Sequence, residues 1–69
     1  MTAAQLRAAI HAHTGYAPFE YRVQGTYFAQ VRGKGVGFKH RTGATEAEAL
    51  DRLAIAVGVT RANRQVGDD

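Results

Sequence analysis

The sequence predicts a small α+β domain of order α-β-β-β-α, a three-stranded antiparallel meander with both helices packed on one of its faces. Three observations carry this. Apolar residues recur at helical spacing near the start and again beyond residue 45. Between those segments the pattern changes to alternation, the period of a strand. The breaks between the strand-like runs are so short that only hairpins can join them.

Thr2 is placed to cap the first helix, and Gln5 three residues later completes a capping-box pattern. Leu6, Ala9, Ile10 and His13 form the apolar-leaning stripe, from which Gln5, Arg7, Ala8, His11 and Ala12 fall away. Gly15 suits the left-handed position that ends a helix, and Pro18 discourages its continuation. The helix is expected over 3–13. From Phe19 the period becomes two, with Phe19, Tyr21 and Val23 alternating with Glu20, Arg22 and Gln24. Gln24-Gly25 is a plausible tight turn. Tyr27, Phe28 and Val31 mark a second strand over 26–32. Gly33-Lys34-Gly35 breaks it, and a third strand runs over 36–42. Thr45 and Glu48 repeat the capping-box pattern, with Glu46 and Glu48 favourably placed in the first turn. Ala47, Leu50, Leu53, Ala54 and Val57 make the second stripe, and Gly58 is the expected stop. The domain is therefore expected over 1–58. Residues 59–69, "VTRANRQVGDD", lack periodicity and read as a frayed, flexible tail.

Composition narrows the function. The chain has 69 residues, net charge +3 and no cysteine, so one small domain forms without disulfide or thiolate staples. No apolar run reaches membrane-spanning length and no leader pattern is present, so the expected location is the cytoplasm. Residues 1–41 carry six Lys or Arg against one Glu, giving +5; residues 42–69 carry three Arg against five acids, giving −2. A basic surface built by the first half would attract nucleic acid or an acidic protein surface. The plain alternative is a solvated basic exterior.

The stretch "VRGKGVGFKHR" at 31–41 has three glycines at alternate positions among basic residues. A phosphate-cradling loop would lead straight into a helix N-terminus, whereas these glycines lead into a strand pattern. Gly33 and Gly35 fit a hairpin turn, and Gly37 a bulge or a close approach. His11 and His13 stand two apart on a helix and diverge, and His40 is alone, so no metal site is expected. No nucleophile, acid–base pair or cofactor motif is present; the chain reads as non-enzymatic and without a cofactor.

One sheet face is the remaining signal. With Phe19, Tyr21, Val23, Tyr27, Ala29, Val31, Val36 and Phe38 turned to the core, alternation leaves Glu20, Arg22, Phe28, Gln30, Arg32, Lys39 and Arg41 on the open face. Phe28 would be a stacking surface, Gln30 a polar contact, and Arg22, Arg32, Lys39 and Arg41 the cations, with Lys34 at the hairpin tip. A slip of one residue inverts such an assignment. These seven residues point to RNA or DNA as partner. The alternative is a protein-interaction adaptor or inhibitor meeting an acidic protein surface, a size that also suits phage or mobile-element proteins. Either would work as a monomer or weak homodimer.

A helix ending at Gly15, then "GYAPFEY", "YFAQV", "GKGVG" and the Ala-rich "TGATEAEALDRLAIAV", resembles the double-stranded RNA-binding domain over roughly 3–58. That resemblance implies the same α-β-β-β-α fold. The family grips phosphate with lysines at the start of its last helix, where this chain has Glu46, Ala47 and Leu50. Its first-helix contacts fall near Ala9 and Ala12, and its loop between the first two strands is reduced to Gln24-Gly25-Thr26. Family-style RNA binding is therefore expected to be lost or altered. "YFAQVRGKGVGFKHRTGATEAEA" is also similar to the DNA-binding domains of integrases and AP2-type factors. That likeness implies an open sheet face directed at the major groove, where Arg can read guanine.

Overall fold

The computed structural model describes residues 1–59. Five elements follow one another: α1 (Ala3–Thr14), β1 (Phe19–Val23), β2 (Thr26–Gly33), β3 (Gly37–Gly43) and α2 (Glu46–Ala56). The three strands form one antiparallel sheet in the order β1-β2-β3. α2 packs on β2 and β3, and α1 packs on α2.

Local chemistry sets the ends of the helices. The Thr2 hydroxyl accepts from the Gln5 N–H while the Gln5 side chain accepts from the Thr2 N–H, so α1 has both halves of its capping box. Gly15, at φ 84°, closes α1 with its N–H donating to the His11 carbonyl. At α2 the Thr45 hydroxyl accepts from the Glu48 N–H. The Glu48 carboxylate reaches one residue further than expected and accepts from the Ala44 N–H at 2.6 Å. Gly58, at φ 95°, ends α2 in a Schellman motif: Gly58 N–H donates to Ile55 and Val59 N–H to Ala54. Val59 is buried by that turn and belongs to the core, one residue beyond the expected domain boundary. Of the frayed tail expected over 59–69, Val59 is thus part of the core, and residues 60–69 lie outside the described residues.

Leu6 and Ile10 from α1, Ala29 and Val31 from β2, and Ala49, Leu50, Leu53 and Ala54 from α2 make the core with Val59. Burying a side chain the size of Ile10, Leu50 or Leu53 contributes about 1.5–3 kcal/mol. Glycine allows the closest approach between layers. A Cβ at Gly43 would come within 2.7 Å of the Ala49 backbone nitrogen, so the first turn of α2 rests directly on β3.

The hairpin loops decide which side chains face the helices. Gln24 and Gly25 both have positive φ, the backbone of a type I′ turn, and join Val23 directly to Thr26. Pairing then runs Arg22↔Tyr27, Tyr21↔Phe28, Glu20↔Ala29 and Phe19↔Gln30. Residues directly opposite share a face, so odd positions of β1 lie with even positions of β2. The second loop holds three residues, Lys34, Gly35 and Val36, and pairs Gly33 with Gly37, Arg32 with Phe38, Val31 with Lys39 and Ala29 with Arg41. Odd positions of β3 lie with odd positions of β2. On β2 the expected facing holds, with Ala29 and Val31 buried beneath the helices.

On the two outer strands the facing is the reverse of the expectation. Phe19, Tyr21, Val23 and Phe38 stand on the open face, whereas Arg22, Lys39 and Arg41 stand on the helix side along the sheet edges. The physical reason is loop length: a two-residue turn cannot place Tyr21 and Tyr27 on the same side, nor can a three-residue loop place Phe38 beside Val31. Val36 belongs to the loop rather than to β3 and packs partly against the core.

Candidate nucleic-acid interface

The open face is read most simply as rows crossing the sheet. From the β2–β3 loop downward they are Arg32–Phe38, Phe19–Gln30–His40, Tyr21–Phe28–Thr42 and Val23–Thr26. Aromatic side chains therefore come from all three strands. Tyr21 and Phe28 lie parallel with centroids 4.9 Å apart, and Phe19 leans on Tyr21 at 5.8 Å. On the far edge Phe38 and His40 form a second tilted pair at 5.5 Å. Gln30 stands between the two groups. Phe19 is 60% exposed, Phe38 52%, Val23 49% and Tyr21 40%, so the rings offer much of their area to solvent. Exposed aromatics are thus gathered on one open surface.

Of the proposed site residues, Phe28, Gln30 and Arg32 share this face. Arg22 does not: its guanidinium lies over the Tyr27 ring at 5.5 Å, on the helix side. Lys39 and Arg41 flank β3 on that side, both exposed. The Arg41 guanidinium turns back to donate to the His40 carbonyl at 2.6 Å. Lys34 is at the hairpin tip, where its N–H donates to the Tyr16 hydroxyl oxygen. The Tyr16 ring lies against Gly33, where any side chain would collide with it, and so braces the tip from the helix side. Lys34 and Lys39, with His13, line an open groove of about 510 Å³ between the loop and the C-terminal ends of both helices. Lys39 and Arg41 thus project from the helix side of the edge strand β3 and Lys34 sits on the hairpin, while the aromatics occupy the opposite, open face.

Sequence reasoning missed Phe19, Tyr21, Phe38 and His40 as open-face residues. Counting the residues of the two loops finds them: the Gln24-Gly25 turn fixes Phe19 and Tyr21, and the three-residue Lys34-Gly35-Val36 loop fixes Phe38 and His40.

The acidic side of the molecule is committed to structure. Arg7 of α1 donates from Nε and Nη2 to the two carboxylate oxygens of Glu20, at 2.7 and 2.8 Å, and from Nη2 to Glu46 of α2 at 2.9 Å. Hydrogen bonding to Arg7 holds the Glu20 carboxyl below the usual carboxylate range. Hydrogen bonding to Glu20 pushes Glu46 up, because two neighbouring carboxyls share a proton more easily than two charges. The same carboxylates push the Arg7 guanidinium further up. Glu20, expected on the open face, is therefore a helix-side tether.

Among the described residues no three His, Cys, Asp or Glu side chains gather as a metal site. No helix among them is long and apolar enough to cross a membrane. Comparison with known proteins finds no matching family model, no matching curated protein and no matching solved structure.

Proposed function

We propose that the protein is a small, non-enzymatic nucleic-acid-binding module of double-stranded-RNA-binding-domain-like fold that works through the open face of its sheet. The observation that carries this reading is the arrangement of that face: Phe19, Tyr21, Phe28 and Phe38 as a ring-bearing surface with Arg32 on it, beside the edge strand β3 whose other side carries the exposed Lys39 and Arg41. Bases meet rings and phosphates meet cations in such an arrangement. The start of α2 argues against the family's usual grip on duplex RNA. Glu46 there is held by Arg7, and Glu48 caps the helix and pairs with Arg52. RNA or DNA is the partner, and the cytoplasm is the location this reading assigns.

Titration of labelled RNA and DNA across a salt series tests it. Affinity is expected to fall steeply with salt, and Lys39→Ala or Arg41→Ala is expected to reduce the log–log slope by about one each. Affinity for neither polymer, or affinity indifferent to salt, contradicts the reading.

A second reading has its own support. Val23 joins Phe19 and Phe38 as an exposed apolar group, and Arg32 is the single formally charged side chain among the described open-face residues. An apolar surface with one cation on it, Arg32, and exposed cations on the adjoining edge strand also suits an acidic protein surface. A protein that binds no nucleic acid, yet is monomeric alone and retained by an acidic protein ligand through Phe19 and Phe38, would favour it.

A further inference from the structure

We infer that the ligand of the open face is single-stranded, with bases lying flat on two separate ring stations and the backbone following the β3 edge. This rests on the nucleic-acid reading above and narrows it. The first station is the β1-side ladder of Phe19, Tyr21 and Phe28; the second is the Phe38–His40 pair on β3. Neighbouring strands lie about 4.8 Å apart, so β1 and β3 stand roughly 10 Å from each other across β2. Gln30 occupies the middle of the row that joins Phe19 to His40. Its amide both donates and accepts, which fits the edge of a base held between the stations.

The distribution of charge selects against a duplex. A duplex presents phosphates first and hides the faces of its bases, so rings on a flat surface gain nothing from it. It rewards cations and short polar groups on the contacting face. Here the rings hold the face, Arg32 is its one formally charged residue among those described, and the exposed Lys39 and Arg41 project from the far side of the edge strand β3. An unpaired strand has the complementary form, with base faces free on one side and phosphates on the other. Arg32, paired across the strands with Phe38, is positioned where the backbone would pass from edge to face.

The test uses fluorescence anisotropy with a labelled mixed-sequence single strand, as DNA and as RNA, and with the same strand annealed to its complement. The single strand is expected to bind at least about tenfold more tightly than the duplex. Phe19→Ala and Phe38→Ala are each expected to weaken single-strand binding about ten- to a hundredfold. Phe38→Tyr should retain binding where Phe38→Leu does not, since a flat ring rather than apolar area is required. Both phenylalanines are exposed, so thermal unfolding checks that the variants remain folded. Equal or tighter duplex binding through the same residues overturns this inference and leaves the nucleic-acid reading standing; binding to neither form overturns both.

Discussion

Arg7 holds carboxylates from two other elements, Glu20 of β1 and Glu46 of α2, so its contribution to stability depends on pH. Glu20 has a lowered pKa in the folded protein, so its share of stability is full above the unfolded value, about 4.3, and is lost as pH falls through the folded value. Glu46 has a raised pKa and acts in the opposite sense, its share fading as pH rises through the folded value. Arg7→Met removes the partner of both. The pair with Glu20 is bidentate and part-buried, so the substitution is expected to cost about 1–2 kcal/mol at pH 7. Denaturant titrations run from neutral pH into acid should show wild type and variant converging as pH falls through the folded value of Glu20. A gap that stays constant across that range would mean the cluster is not what Arg7 contributes.

At the scale of elements, the seating of α2 on β3 depends on Gly43. Ala at this position would drive its Cβ into the backbone at Ala49 and the side chain of Glu48, with no flexible group to give way. Gly43→Ala is expected to destabilise by about 1–3 kcal/mol, measured by chemical denaturation. Stability equal to wild type would show that α2 does not approach β3 so closely. The elements themselves were legible in the sequence, because caps, glycines and periodicity are local signals. Thr2, Gly15, Thr45 and Gly58 each mark an observed boundary. The facing of β1 and β3 was not legible from apolarity, because Phe19, Tyr21, Val23 and Phe38 look like core residues and are not. They stand exposed on the open face, so the pattern that normally reports burial does not report it here. Loop length carried the missing information: two residues in one turn and three in the other fix both registers. The Arg7 cluster joins residues far apart in the chain, and no local pattern marks it.

The whole molecule divides its two faces by task. α1 and α2 cover one side of the sheet and supply six of the nine buried core residues, with the acidic residues Glu20, Glu46 and Glu48 tied into that layer. Among the described residues no element covers the other side, where Phe19, Tyr21 and Phe38 stand exposed. Stability and binding are therefore separable: substitutions at Phe19 and Phe38 should change affinity without moving the unfolding transition, and those at Arg7 and Gly43 should do the reverse. The charge asymmetry seen in the sequence survives along the sheet edges rather than as a basic face, because Arg22, Lys39 and Arg41 moved to the helix side while Arg32 did not.

The location of binding is tested most directly by chemical-shift mapping of backbone amides and aromatic side chains during titration with a short single strand. The account expects the largest changes at Phe19, Tyr21, Phe28, Gln30 and Phe38, with smaller ones at Arg32, Lys39 and Arg41. Changes confined to α1 and the start of α2, with the aromatic resonances of the sheet unmoved, would contradict it.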